Sequence, residues 1–322
     1  MRAITITDDH DLELSDVPDP RPGPGEVLVK VAAAGVNRAD ILQRAGHYPP
    51  PPGTSDLMGL EVSGTVAGLG DGVTGWQVGD EVAALLAGGG YAELVTAPAT
   101  QLLPVPSSVS LVDAAALPEA ACTAWANLIH SGRLGAVETV LVHGGSGGVG
   151  SVAIQLAAAV GARVLTTAGG PERAARCREL GADVAIDYRA GDVARAVRDA
   201  TDGRGVDVIL DVLGAGALTD NVAMLATGGR LVVIGTQKGR KGELDLGRLM
   251  TKRASIHAST LRARPLAEKA AVVADVRARV WPMLDDGRLR PVVAERLPLA
   301  DAARAHELLD SGTVFGKVLL LP

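Results

Sequence analysis

A glycine-rich turn between a strand and a helix constrains the fold of this chain more than any other feature. The segment 139–157 reads TVLVHGGSGGVGSVAIQLA, and Gly145, Gly147 and Gly150 in it have the spacing GxGxxG. The early glycines permit a tight turn and let backbone N–H groups approach a pyrophosphate, while the last allows the helix to pack closely on the strand. The N-terminus of the helix also favours an anion. The motif therefore predicts a dinucleotide site.

The residues that follow repeat the same strand, glycine and helix rhythm. A lone GxGxxG would be weak evidence in a chain with 40 glycines. Here it is followed by the segments RVLTTA, PERAARCRELGA, DVAIDY, GDVARAVRDATDG, VDVILDVLG and RLVVIG. Alternation of this kind predicts a doubly wound parallel sheet covered by helices on both faces.

The end of the second strand of this region bears on the choice of nucleotide. An acidic residue there would bind a ribose 2′-hydroxyl and repel a 2′-phosphate. The segment 163–176, RVLTTAGGPERAAR, has no carboxylate before Glu172, and Arg173 and Arg176 follow it. A guanidinium binds a phosphate bidentately, so the pattern favours NADPH. The alternative is that both arginines only solvate an exposed helix face.

The sequence on either side of this region has a different character. Short apolar or alternating runs separated by glycine and proline extend to about residue 118 and predict a β-rich domain. The chain returns to that style at its end, with VVAERLPL, DAARAHELL and KVLLL. We therefore predict two domains, residues 1–121 with 261–322 and residues 122–260. Within residues 261–322, five apolar residues at helical spacing predict a core face: Val272, Val273, Val276, Val280 and Met283.

Composition excludes several classes of function. The formal charge of −6 and the aromatic content of 2% argue against nucleic acid and anionic membrane surfaces as partners. Two cysteines make neither a disulfide scaffold nor a four-thiolate zinc site, which favours a cytoplasmic protein. The acidic N-terminal segment and the interrupted apolar runs indicate no targeting or membrane segment.

Several long segments also resemble one known family. The chain is similar to the zinc-lacking NADPH:quinone oxidoreductases of the medium-chain dehydrogenase/reductase superfamily, and most to the tumour-suppressor-inducible subgroup. The resemblance implies a Rossmann domain inserted into a GroES-like partial barrel, a homodimer formed through the Rossmann sheet, and hydride transfer from NADPH to a quinone or similar conjugated carbonyl. The segments that carry it are GPGEVLVKVAAAGVNRADILQRAGHYPPPPG, GLEVSGTVAGLG, GDEVAALLAGGGYAELV, LPEAACTAW, HGGSGGVG, LGADVAIDY, GGRLVVIG and GKVLLLP.

The zinc ligands of the superfamily's alcohol dehydrogenases are replaced in this chain. Asn37 and Leu60 stand where those enzymes have cysteine and histidine, and neither side chain supplies a thiolate or imidazole. Glu61 remains, and we expect it to be structural. We therefore predict no metal and an acceptor that is already electrophilic, such as a quinone.

The resemblance also implies which residues form the site. Asn37, Asp40 and Tyr48 are expected in the cleft near the nicotinamide as catalytic residues. Two departures from relatives stand out, Gly147 in place of a serine in the glycine loop and Gly312 in place of a phosphate-binding arginine. The residues expected to contact the cofactor are Asn37, Tyr48, Thr123, Gly145, Ser146, Gly147, Gly148, Val149, Gly150, Gly169, Arg173, Tyr188, Gly235, Thr236, Thr260, Leu261 and Lys317.

Two other functions are also compatible with the sequence. An enoyl or 2-alkenal reductase would transfer hydride in the same geometry, with basic residues at the mouth of the pocket; Arg38, Arg44, Arg262 and Arg264 are available for that purpose. A structural or regulatory protein that binds NADPH with little turnover is the alternative from another class.

Overall fold

Short strands broken by glycine and proline form the first third of the chain in the computed structural model, which describes all 322 residues. In the longest of them Val27, Val29 and Val31 are buried in alternation, as expected for a strand with one face on a core. The elements are β1 (Arg2–Ile6), β2 (Leu12–Asp16), β3 (Glu26–Gly35), α1 (Arg38–Arg44), β4 (Glu61–Leu69), β5 (Glu81–Leu85), β6 (Leu94–Pro98), β7 (Leu102–Pro104) and α2 (Pro118–Trp125).

The middle of the chain alternates strands and helices. Its elements are β8 (Thr139–Val142), α3 (Gly148–Val160), β9 (Arg163–Ala168), α4 (Pro171–Glu179), β10 (Val184–Asp187), α5 (Val193–Ala200), β11 (Val206–Asp211), α6 (Leu218–Met224), β12 (Leu225–Val233), α7 (Leu246–Lys252) and β13 (Ser255–Ala258).

These six strands form one parallel sheet with the order β10-β9-β8-β11-β12-β13. Numbered within this sheet, the strand order is 3-2-1-4-5-6, that of a Rossmann fold, in which the order of successive strands reverses beside the first strand. All six residues of β11 are buried, because helices cover both faces of such a sheet. The predicted doubly wound sheet is confirmed.

The last part of the chain adds α8 (Leu266–Arg279), α9 (Pro282–Asp285), β14 (Val293–Pro298), α10 (Ala302–Asp310) and β15 (Lys317–Leu321). β15 pairs with β3, so the C-terminus completes the β-rich sheet, with the order β14-β15-β3-β4-β5-β7 and β6 also paired with β3. The separate β-rich domain is thereby confirmed. The five apolar residues at helical spacing, 272, 273, 276, 280 and 283, are all buried, as predicted.

The chain divides into two compact units, Met1–Cys122 with Leu261–Pro322 and Thr123–Thr260, called here the first and second unit. The core of the first unit lies around Val29, Val62 and Val82, and the core of the second around Leu141, Ile209 and Leu231. No helix has both the length and the hydropathy that a membrane span requires.

Candidate functional site

The glycine turn lies at the carboxyl end of β8, in the middle of the parallel sheet. β8 ends at Val142 and α3 begins at Gly148, with Gly147 as its N-cap and no side chain capping the helix. The first N–H groups of a helix have no intrahelical acceptor. The turn therefore presents backbone donors at a helix N-terminus, and it contains the predicted residues 145 to 150.

The turn fits a pyrophosphate because its glycines are needed for two different reasons. A Cβ on Gly150 would lie 2.1 Å from the Gly144 carbonyl oxygen, and one on Gly145 would lie 2.1 Å from Thr166 Oγ1. A Cβ on Gly147 would meet nothing nearer than 3.4 Å. Gly145 and Gly150 thus permit close packing, whereas Gly147 leaves space beside the exposed N–H groups, as an anion cradle requires.

Three side chains outside the predicted site, those of Thr167, His143 and Asn221, hold this turn in place. Thr167 Oγ1 accepts a hydrogen bond of 3.1 Å from the Gly144 N–H and lies 3.2 Å from His143 Nδ1. His143 Nε2 lies 2.8 Å from Asn221 Oδ1. Burial lowers the pKa of His143, so the neutral imidazole joins the turn to α6. Asn221 is 78 residues from His143, and no local motif indicates this contact.

Three of the predicted cofactor contacts, Gly169, Arg173 and Tyr188, lie together beside the end of β9. Arg173 Nε donates a hydrogen bond of 2.7 Å to the Gly169 carbonyl oxygen. A Cβ on Gly169 would lie 2.6 Å from the Tyr188 hydroxyl and 3.2 Å from Arg173 Nη2. Tyr188 is 49% exposed, so its ring is accessible to a ligand. The neighbouring Asp187 carboxylate accepts from the N–H of Gly170 at 2.8 Å, and that bond lowers its pKa.

The remaining predicted residues of the second unit lie at the ends of other segments. Gly235 follows β12, and a Cβ there would lie 2.9 Å from the Val212 carbonyl oxygen; exposed Thr236 comes next. The Thr123 carbonyl accepts from Asn127 Nδ2 at 2.8 Å, and Asn127 Oδ1 accepts from Ser259 Oγ at 2.6 Å. Asn127 therefore links the segment of Thr123 to the segment that ends at Thr260. Leu261 is buried and belongs to the first unit.

In the first unit, sheet register brings Asn37, Glu61 and Lys317 together. β3 pairs antiparallel with both β4 and β15, so its end lies beside the first residues of these strands. Asn37 Nδ2 donates to Glu61 Oε1 at 2.9 Å, and Lys317 Nζ donates to Asn37 Oδ1 at 2.7 Å and forms an ion pair with Glu61. All three side chains are buried, so Asn37 and Lys317 are committed to internal partners.

A second buried group adjoins this cluster. Asp40 accepts hydrogen bonds from the Asn37 N–H at 2.7 Å and from the Tyr91 hydroxyl at 3.0 Å. The Tyr91 hydroxyl lies 3.3 Å from His306 Nε2. Burial raises the pKa of Asp40 to about 6 and lowers that of His306 to about 4. We call Asn37, Asp40, Glu61, Tyr91 and Lys317 the buried polar cluster; Tyr91 and His306 enter the site without any sequence signal.

Tyr48 differs from these residues because it is half-buried. The Arg262 guanidinium lies 5.4 Å from the centre of the Tyr48 ring, and its Nη1 donates to the Tyr48 carbonyl at 3.2 Å. Burial raises the pKa of the Tyr48 hydroxyl, which therefore keeps its proton near neutral pH. Tyr48 is thus the predicted catalytic residue with both a proton and partial access to solvent.

In this chain, other residues stand at the positions of the superfamily's zinc ligands. Leu60 is buried and Glu61 pairs with Lys317, so a protein cation neutralises the one carboxylate of the motif. No group of three or more His, Cys, Asp and Glu side chains has an arrangement that could hold a metal ion. Burial raises the pKa of the Cys122 thiol well above its usual value, which makes that side chain a small buried hydrophobe.

Comparison with known proteins gives two family matches and many relatives. Residues 23–107 match the alcohol dehydrogenase GroES-like domain, and residues 148–275 match the zinc-binding dehydrogenase family. The quinone oxidoreductase of Rattus norvegicus is 33% identical over 329 residues, covering 100% of this chain and 98% of the relative. A phthioceranic/hydroxyphthioceranic acid synthase of Mycobacterium tuberculosis is 35% identical over 300 residues, which are 93% of this chain. The chain spans only 14% of that synthase's length.

Solved structures show the same architecture along the whole chain. A mycobacterial protein crystallised with NADPH superposes with a TM-score of 0.90 at 35% identity, covering 100% of both chains. A protein described as an NAD-dependent alcohol dehydrogenase superposes with a TM-score of 0.88 at 33% identity, also covering 100% of both.

Proposed function

Because the chain belongs to the quinone oxidoreductase family of the medium-chain dehydrogenase/reductases, we propose that it is a zinc-independent reductase that transfers hydride from NADPH to a quinone or similar conjugated carbonyl. Two neighbouring features at the carboxyl ends of β8 and β9 carry the proposal: the glycine turn, and the group formed by Gly169, Arg173 and Tyr188. A relative crystallised with NADPH supports the choice of nucleotide.

The second unit is proposed to hold the dinucleotide. The N–H groups of residues 148 to 150, at the start of α3, bind the pyrophosphate, and Arg173 and Tyr188 bind the 2′-phosphate. Gly235, Thr236, Thr123, Thr260 and Leu261 are proposed as further contacts to the cofactor. When bound, NADPH supplies a hydride from C4 of its nicotinamide.

The first unit is proposed to bind the acceptor. Tyr48 donates a proton to the reduced acceptor, because its raised pKa keeps the hydroxyl protonated. Asp40 is fully buried, so it acts as a positioning residue that fixes the Asn37 backbone and Tyr91. Lys317 acts in the same way through the Asn37 side chain and Glu61. The acceptor needs no Lewis acid, because a quinone is electrophilic by itself.

A second candidate acceptor is a conjugated enoyl thioester. It is favoured by the similarity of 300 residues to a segment of a synthase whose name denotes an acyl product. We also propose that the protein is cytoplasmic and forms a homodimer through its parallel sheet.

One comparison tests these functions together. Purified protein is mixed with NADPH or NADH and with a short quinone, crotonyl-CoA or an alkenal, and loss of the reduced nicotinamide absorbance is followed. We expect the highest kcat/KM with NADPH and the quinone. Preference for crotonyl-CoA or the alkenal would establish the second candidate instead. Tight NADPH binding without oxidation by any acceptor would indicate a binding protein with little turnover.

A further inference from the structure

A cavity of about 500 Å³ in the first unit is lined by more basic than acidic side chains. Its lining contains no residue of the second unit. Three basic side chains line it, Arg262, Arg264 and Lys269, against the single acid Glu26. The Glu26 carboxylate accepts a hydrogen bond of 2.9 Å from the Gly23 N–H, so it is already engaged. We call this cavity the Arg262 pocket.

Two of the basic side chains are buried without a carboxylate partner. Arg262 is 3% exposed, and its Nε and Nη1 donate to the backbone carbonyls of Ala87 at 2.7 Å and Tyr48 at 3.2 Å. Lys269 is 7% exposed, and its Nζ donates to the Arg262 carbonyl at 3.3 Å. Neither forms an ion pair, whereas buried Lys and Arg are almost always paired with an anion. Neither has a carboxylate within ion-pair distance, and the more distant carboxylates of Glu119 and, for Arg262, Asp40 attract them without pairing.

Unused hydrogen-bond donors face the same space. Arg262 Nη2 and Gln101 Nε2 are both buried and have no acceptor. Arg262 Nη2 lies 3.5 Å from the position of a Cβ on Gly88, which also lines the pocket. A guanidinium and an amide N–H₂ supply donors only, and an oxygen anion is the ligand that satisfies donors and charge at once.

We propose that the Arg262 pocket binds the carboxylate or phosphate group of an amphipathic anion. Leu57, Leu86 and Val95 give its wall an apolar part that suits the body of such a molecule. The same guanidinium lies against the ring and carbonyl of Tyr48. Resting on the proposed function, we assign the anion to the hydride acceptor, so that the enzyme prefers acceptors with a terminal carboxylate or phosphate.

Binding is tested without turnover, by titration calorimetry of the whole protein with naphthoate, naphthyl phosphate and neutral naphthalenemethanol. We expect at least one of the two anions to bind about tenfold or more tightly than the neutral alcohol, since a charge-assisted hydrogen bond contributes that much. The stronger of the two identifies the preferred group. Equal binding of all three, or of none, would overturn the proposal.

Three variants assign the binding to the pocket. Gln101→Glu places a carboxylate of the same size in the cavity, so we expect it to weaken anion binding about tenfold or more without unfolding the protein. Arg262→Gln should do the same where it folds. Arg304→Gln, an exposed charge on α10, is the matched control and should bind as the unchanged protein does. Unaltered binding in folded Gln101→Glu would contradict the assignment.

The acceptor role is tested with a naphthoquinone carrying a propionate side chain and with its methyl ester. We expect a lower KM for the acid, by about tenfold, and loss of that advantage in Gln101→Glu. If both quinones are reduced with equal KM, the proposed reductase function stands, but the anionic group bound by the pocket does not belong to the acceptor. Reduction of neither would overturn the proposed function, while calorimetry would still decide the anion site.

Discussion

The glycine turn of the second unit and the buried polar cluster of the first unit are built in opposite ways. The turn uses backbone N–H groups within a few residues of one another, and its glycines remove side chains. The cluster uses side chains from distant parts of the chain, since Lys317 lies 280 residues from Asn37. The turn therefore offers unpaired donors to a ligand, whereas the cluster satisfies its own charges internally. We therefore propose that the turn binds the dinucleotide and that the cluster positions other residues.

The charged groups of the first unit show the same contrast within one fold. Lys317 is buried against the Glu61 carboxylate and needs no further anion. Arg262 is equally buried and contacts only carbonyl oxygens and a ring. A buried pair is a structural element, whereas an unpaired buried cation beside a cavity indicates a ligand.

The largest expected effect is on the buried ion pair. Glu61→Gln leaves the Lys317 ammonium buried without its counter-charge, and we expect the free energy of unfolding to fall by about 3–5 kcal/mol. Urea denaturation measures it. Glu61→Gln combined with Lys317→Met should recover most of the loss, and the exposed Arg195→Gln should cost less than about 0.5 kcal/mol. A loss below about 1 kcal/mol for Glu61→Gln would show that the pair is not holding the cluster.

The second prediction concerns the pH dependence of stability through Asp40. Its pKa in the folded protein is about 6, above the ordinary value of 3.8, so the folded state binds this proton more tightly than the unfolded state. Stability from this group is therefore present at low pH and declines as pH rises from about 4 to about 6. Relative to Asp40→Asn, the free energy of unfolding of the unchanged protein should fall by up to about 3 kcal/mol over that range. Denaturation at several pH values checks it, with exposed Asp71→Asn as the control; a constant difference would contradict it.

The third prediction concerns the turn. Gly150→Ala forces a Cβ against the Gly144 carbonyl oxygen, so we expect a loss of about 1–3 kcal/mol in stability and NADPH binding weakened by about tenfold. Thermal denaturation and fluorescence titration measure the two effects. Gly191→Ala is the matched control, because a Cβ there meets nothing within 4 Å. If Gly150→Ala binds NADPH as tightly as the unchanged protein, the turn is not part of the cofactor site.

The smallest effect is on nucleotide choice. Arg173→Glu should weaken NADPH by about tenfold or more and leave NADH nearly unchanged, because only NADPH carries the 2′-phosphate. Arg195→Glu reverses the same charge at an exposed position of α5 and serves as the control. If Arg173→Glu weakens the binding of NADPH and NADH equally, the arginine does not recognise the 2′-phosphate. NADH is included because a similar solved structure is described as an NAD-dependent alcohol dehydrogenase.

The features that the sequence predicted are formed by residues close to one another in the chain. The alternation of strands and helices predicted the parallel sheet, and Gly145, Gly147 and Gly150 predicted the turn, because the residues concerned are close in sequence. The partnership of Glu61 with Lys317 depends on the register of β3 with β4 and β15, which no local pattern contains. The same holds for Tyr91 and His306 beside Asp40, which meet across 215 residues. Burial of Arg262 without a carboxylate partner depends on packing from several segments, so the sequence indicated only that basic residues were available.

The most direct test of the reductase is a single turnover without oxygen. Equal amounts of the protein with bound NADPH and a short quinone are mixed, and NADPH and quinol are measured together. The account predicts that one quinol forms for each NADPH consumed, and that NADH in its place reacts more slowly. NADPH that persists beside unreduced quinone, or that is consumed without forming quinol, would contradict it.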